Sequence, residues 1–162
     1  MATQLDYGYS MSKGVPGGKY DLSLDEVITR TNEEEDGVLK FGMVVMVGTT
    51  PGTTVKVPVD GVTLGKIEGI VLHAENTEQD RKGRVVVANN ASVGIMRYGK
   101  IWARVAENVT PVYGDSLYVV VSGDDAGVLS NEEGIGNVKL GGYFIGEAEK
   151  EGIAPVLLTG MA

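Results

Sequence analysis

Hydrophobic and polar positions alternate most regularly between Ile101 and Val105, where Ile101, Ala103 and Val105 point one way and Trp102 and Arg104 the other. A two-residue period of this kind predicts a half-buried β-strand. Tyr98-Gly99 before it and Asn108-Val-Thr-Pro111 after it have turn chemistry, and Gly114-Asp115 opens a second run, Leu117 to Val121. That run is rich enough in β-branched and aromatic residues to predict a strand buried on both faces. These two segments form the predicted centre of the domain.

Related patterns recur along the chain. Phe41 to Val47, with the nearly continuous Met43-Val-Val-Met-Val47, is a predicted strand; Thr49-Thr-Pro-Gly52 turns it into Thr53 to Val57, a hairpin that Pro58 closes at a sheet edge. Further strands are predicted at Ile67–Leu72, Arg84–Ala88, Val93–Met96, Val128–Leu129, Leu140–Gly146 and Ile153–Leu158. Leu24–Arg30 is compatible with one helical turn or a short strand, and Thr31–Gly37 reads as a hydrated acidic loop. About nine to eleven short strands with turns every 8–12 residues give an all-β, single-domain barrel or sandwich, jelly-roll-like or related. The domain is assigned to residues 26–162, behind an extended N-terminal arm at residues 1–25.

In the arm, Leu5, Tyr7, Tyr9 and Met11 alternate, and Tyr20, Leu22 and Leu24 follow the break at Gly14-Val-Pro-Gly-Gly18. Disordered tails are poor in aromatics. The arm is therefore expected to pack on its own barrel or on a neighbouring subunit.

Composition sharpens this picture. The 162 residues make one domain with a sizeable core, and 24 glycines beside 24 valines describe short strands punctuated by turns. With no cysteine there is neither a disulfide nor a thiolate metal site. A net charge of -8 opposes binding to nucleic acid, whose affinity comes from Lys and Arg displacing counterions. The start of the chain lacks a basic and apolar leader, and no apolar run approaches the roughly 18 residues a membrane span needs, which predicts a soluble protein made in the cytosol. Charge is uneven: Arg81, Lys82, Arg84, Arg97, Lys100 and Arg104 stand against Asp80 alone within residues 80–104. This cluster is either a solvated basic face that balances the acidic remainder or a docking surface for an acidic partner.

Catalytic motifs fail on inspection. Gly114-Asp-Ser-Leu117 spells an esterase signature, but the one histidine, His73, lies upstream and the pattern has no α/β alternation. Gly14-Val-Pro-Gly-Gly-Lys19 lacks phosphate-loop spacing, and Asp124-Asp125 lacks the remainder of a calcium loop. His73 has no second ligand at a metal-binding spacing, so a structural role is expected of it. The sequons Asn90-Ala-Ser92 and Asn108-Val-Thr110 have no secretory context. Neither a catalytic centre nor a cofactor site is predicted.

The order of several segments resembles the capsid cement, or head decoration, proteins of tailed phages and prophages. The likeness rests on the aromatic arm leading to Val15-Pro-Gly-Gly-Lys-Tyr-Asp21, on Val27-Ile-Thr-Arg-Thr-Asn-Glu33 followed by Lys40-Phe-Gly-Met43, and on Gly99-Lys-Ile-Trp-Ala-Arg-Val105. Val112-Tyr-Gly-Asp-Ser-Leu-Tyr-Val119 with its glycine-rich hairpin completes it, and nearly the whole chain is covered. The resemblance implies a non-enzymatic virion protein, made in the bacterial host cytoplasm. It would bind the outer face of the major capsid protein shell, as a homo-oligomer (trimer, or else dimer), and hold adjacent subunits together. Leu5, Tyr7, Tyr9, Met11, Tyr20, Arg81, Lys82 and Arg84 are the expected capsid or subunit contacts. A phage tail or baseplate accessory protein and a carbohydrate-binding module share the same composition; the latter would need a flat row of exposed aromatics.

Overall fold

The structure, a computed structural model, describes residues 14–74, 82–84, 86–149 and 152–160. Nine strands run through the described residues: β1 (Glu26–Asn32), β2 (Val44–Val47), β3 (Thr54–Lys56), β4 (Ile67–Val71), β5 (Ser92–Arg104), β6 (Ser116–Val119), β7 (Leu129–Ser130), β8 (Val138–Phe144) and β9 (Ile153–Gly160). The fold is all-β, as the alternation and turn spacing require. β1, β3, β2, β4 and β5 close into a ring, because β1 pairs with β3 on one edge and with β5 on the other. A second arc, β9-β8-β6-β7, leaves β5 and returns to its end through the bridge between Val105 and Leu129.

Two cores result. Leu39, Val45, Val55, Val71, Val93 and Ile95 fill the ring, while a larger cluster packs the outside of the ring against the second arc. Neighbouring residues in three strands divide between them. Val44, Ile70 and Met96 join the larger cluster; Val45, Val71 and Ile95, each adjacent in sequence, join the smaller one, and all six are completely buried. Adjacent strand residues point to opposite faces. The unbroken apolar stretch of β2 and the burial of every residue of β4, Glu68 included, therefore follow from burial on both sides.

Three expectations need correcting. Tyr98-Gly99 is not a turn but lies within one 13-residue strand. Glu26 pairs with Tyr98 and Val27 with Met96, so Arg97 is an extra residue bulged out of β5. Gly99 takes φ +122°, and a Cβ there would lie 2.7 Å from Asp25 Cβ, so no other residue fits without strain. The chain continues where glycine was expected to reverse it. Leu117–Val121 is not buried on both faces either: Leu117, Val119 and Val121 are buried, but Tyr118 and Val120 between them are half-buried. Lastly, Val86–Ala88 forms no strand. Its carbonyls bond sideways instead, Val87 O accepting from Gly37 N–H at 3.1 Å and Ala88 O from Asn32 Nδ2 at 2.9 Å. Val87 plugs the ring from that position.

The acidic segment after β1 is likewise no loose hydrated loop. The Glu33 carboxylate accepts from Thr49 N–H and from the Thr54 hydroxyl, each at 2.7 Å, Glu34 from Val57 N–H at 3.0 Å, and Asp36 from Asn89 N–H at 2.7 Å. These carboxylates satisfy backbone donors that the ladders leave over. Desolvation opposes ionisation of Glu33, but the bonds from Thr49 and Thr54 outweigh it and hold its pKa below the usual carboxylate range.

Gly69, at φ +151°, sits at the bulge in β4 where a Cβ would meet Met96 O at 2.2 Å. Gly69→Ala is expected to destabilise the protein by about 3 kcal/mol or more, whereas Gly65→Ala, which meets nothing within 4 Å, should stay within about 0.5 kcal/mol of wild type. Equal denaturant midpoints for the two variants would refute this account of β4.

Candidate functional site

The outer face of β5 and the chain segment laid along it make the most elaborated surface. Past the Arg97 bulge, Tyr98, Lys100, Trp102 and Arg104 lie opposite the buried Ile101 and Ala103. Residues 17–20 pair with this half of β5. Gly17 N–H donates to Trp102 O at 2.7 Å, Trp102 N–H to Gly18 O at 2.9 Å, and Tyr20 N–H to Lys100 O at 3.1 Å. Gly17 O in turn accepts from His73 N–H at 2.8 Å, so the segment ties the end of β4 to β5. Gly17 has φ +77°, and a Cβ would meet His73 N and Val71 O at 2.6 Å. Gly14 lies directly on the Trp102 indole, and the Tyr20 ring sits at 5.6 Å from it with a 45° tilt.

The next residues form a fixed turn. Asp21 accepts from Ser23 N–H at 2.9 Å and from the Ser23 hydroxyl, and it pairs with Lys100 Nζ at 2.7 Å; Lys19 pairs with Asp25 at 2.6 Å. Leu22 and Leu24, between these anchors, are 102% and 88% exposed. Two leucines exposed in water between bonded flanks are unusual on a self-contained surface and suit an anchor for a partner.

Of the residues singled out in the sequence, Leu5, Tyr7, Tyr9, Met11 and Arg81 lie outside the described residues. Tyr20 packs on Trp102. Lys82 and Arg84 are exposed on the segment that approaches the open end of the ring. The five described basic residues of this cluster do not make one face: Lys100 is paired with Asp21, Arg97 is half-buried in the bulge, and Arg84 and Arg104 line a common cavity with Lys40 and Phe41. Arg104 Nε donates to Phe41 O at 2.7 Å. Sequence reasoning missed Lys40 and Phe41, which come from a loop remote in the chain; the usable signal was Arg104, a cation within the most regularly patterned strand.

The esterase-like motif serves as a turn. Asp115 accepts from Asn131 Nδ2 at 2.8 Å and from Val112 N–H at 3.0 Å, which lowers its pKa, and the His73 ring rests edge-on against Phe41 at 5.0 Å. Among the described residues no three His, Asp or Glu side chains are arranged to hold a metal, and no helix is long and apolar enough to cross a membrane.

The family model described as "Structural cement protein (E217 gp24/Pam3 gp6)" matches residues 3–159. The chain belongs to the structural cement protein family. No curated protein sequence matches it. Among solved structures, a chain of "The capsid of Myoviridae Phage XM1" superposes with a TM-score of 0.73 at 15% identity, covering 100% of both chains. At that identity the likeness is one of fold. The cement protein is thus a structural component of phage capsids by family, and the expectation drawn from the order of its segments holds.

Two outcomes are expected at this surface. Trp102→Ala should cost on the order of 3 kcal/mol, because it removes the ring that Gly14 and Tyr20 cover; an unchanged melting temperature would show that the covering segment is not held there. The Asp21–Lys100 pair should leave a pH signature. Hydrogen bonds from Lys100 and then Ser23 lower the Asp21 pKa from 3.8 to about 2 in the folded state. The pair's contribution is complete above the unfolded value of 3.8 and disappears as pH falls through about 2. Asp21→Asn should therefore lower the melting temperature at about pH 6 and do so far less at about pH 2, where half of the folded protein already carries the protonated carboxyl. A gap of equal size at both would refute the assignment.

Proposed function

We propose that this cement protein binds the outer surface of a phage head and bridges adjacent major capsid protein subunits, stabilising the DNA-filled shell without catalysing a reaction. The match of residues 3–159 to structural cement proteins carries this reading. The exposed, pre-organised Leu22–Leu24 turn supports it, as does the lack of any assembled nucleophile, base and orienting acid around Ser116 among the described residues. Its place is the virion, after synthesis in the host cytoplasm.

The arm, with Leu5, Tyr7, Tyr9 and Met11, is proposed to act as a clasp on a sister subunit or on the shell. Laid against a protein surface, four such side chains give a gross hydrophobic gain of roughly 5–10 kcal/mol. Ordering about ten backbone residues opposes this with a comparable cost, so the receiving surface must already be rigid. A homo-oligomer, trimer rather than dimer, fits this role, because several weak footprints acting together multiply avidity.

Co-sedimentation with shells assembled without the protein tests the reading: saturable binding to expanded shells is expected, and none would refute it. Light scattering at micromolar concentration should report an oligomer, and a monomer would count against the trimer. Deleting residues 2–12 should leave a folded protein that has lost its oligomeric state, its shell binding or both. A truncated protein that assembles and decorates as well as the full chain would remove the arm from the mechanism.

A further inference from the structure

A cavity of about 370 Å³ opens at the end of the ring, where residues 36–41 and the segment around Val87 meet the C-terminal end of β5. Leu39, Phe41 and Val87 give it an apolar lining, Arg84 lies at its wall, and among the described residues Lys40 and Arg104 face one lining carboxylate, Asp36. That carboxylate already accepts from Asn89 N–H at 2.7 Å. Lys40 and Arg104 also line a neighbouring cavity of about 240 Å³ with Asp124 and Asp125, neither of which forms an ion pair with Arg104.

Arg104 is the unusual member. Its guanidinium is half-buried, its Nε donates to Phe41 O at 2.7 Å, and its two terminal amino groups have no protein acceptor among the described residues. Desolvation lowers its pKa, as for a cation that has lost water without gaining an anion. The bond to Phe41 fixes the plane of the group, so its remaining donors form a pre-set fork, the geometry that carboxylates engage in bidentate fashion.

We propose that this cavity receives an acidic side chain of the shell protein, with Arg104 as its carboxylate anchor, a proposal that rests on the capsid-binding reading above. The apolar lining suits the methylene stem of a Glu or Asp, and the size admits a side chain or two. A nucleic-acid strand is disfavoured by the net charge of -8 around so local a basic site. Lys40, which lines the same cavity, adds attraction at the rim.

The test pairs two measurements. In co-sedimentation with shells lacking the protein, Arg104→Gln is expected to weaken binding by about 30-fold or more, with Arg104→Lys recovering only part, because it restores charge without the fork. Wild type and a folded Arg104→Gln binding equally well would overturn the proposal and leave the capsid reading standing. Wild type failing to sediment would overturn the capsid reading. Independently of shells and of any variant's folding, the Arg104 Nε–H resonance of the full-length protein is followed while N-acetyl-glutamate N-methylamide is added. A saturable shift that the glutamine analogue does not produce is expected, and an unmoved resonance overturns the carboxylate site.

Discussion

The fold depends on one strand serving two interiors. β5 supplies Val93 and Ile95 to the ring and Met96, Ile101 and Ala103 to the larger cluster. A strand with strict alternation would carry Met96 and Ile101, five positions apart, to opposite faces. The bulged Arg97 adds one residue and re-phases everything after it, so that Gly99, Ile101 and Ala103 follow Met96 onto a common face. Were Arg97 to pair regularly instead of bulging, the second arc would meet Lys100, Trp102 and Arg104 instead of its core. Gly99 is required at the same place, because the incoming turn at Asp25 leaves no room for a side chain.

Re-phasing also determines where function is available. The face of β5 that lined the ring emerges beyond the bulge as the row Tyr98, Lys100, Trp102 and Arg104. Part of that row is covered by the chain's own residues 14–20, through main-chain bonds and the Gly14 and Tyr20 contacts. The far end, Arg104, stays uncovered on its polar side. Carboxylates stabilise the opposite edge, where Glu33, Glu34 and Asp36 accept backbone N–H groups. These three of the protein's 22 acidic residues therefore hold loops together.

Much of this was legible in the sequence. Period-two alternation over Ile101–Val105 and the apolar run at Met43–Val47 placed two of the principal strands, and the order of aromatic, glycine and charged segments pointed to the family. What escaped was non-local. Tyr98-Gly99 has the chemistry of a turn, and only pairing with β1 decides that it continues a strand. Val86–Ala88 has strand composition, yet its partners are Gly37 and the Asn32 side chain, chosen by tertiary packing. The basic cluster was visible as a count, but its division into a paired lysine, a bulged arginine and a cavity-lining pair follows from the register of a bulged strand.

The ring has a temporal consequence. All five of its strands, and every residue of its core, fall between Glu26 and Arg104. The larger cluster needs β9, the last strand, before it can close. During synthesis, at roughly 5–20 residues per second, the ring can form while the second half is still emerging. A ring closed at that point would display Val44, Ile70 and Met96 uncovered until Ile153–Gly160 arrives. That interval of several seconds is when the nascent chain is most exposed to aggregation.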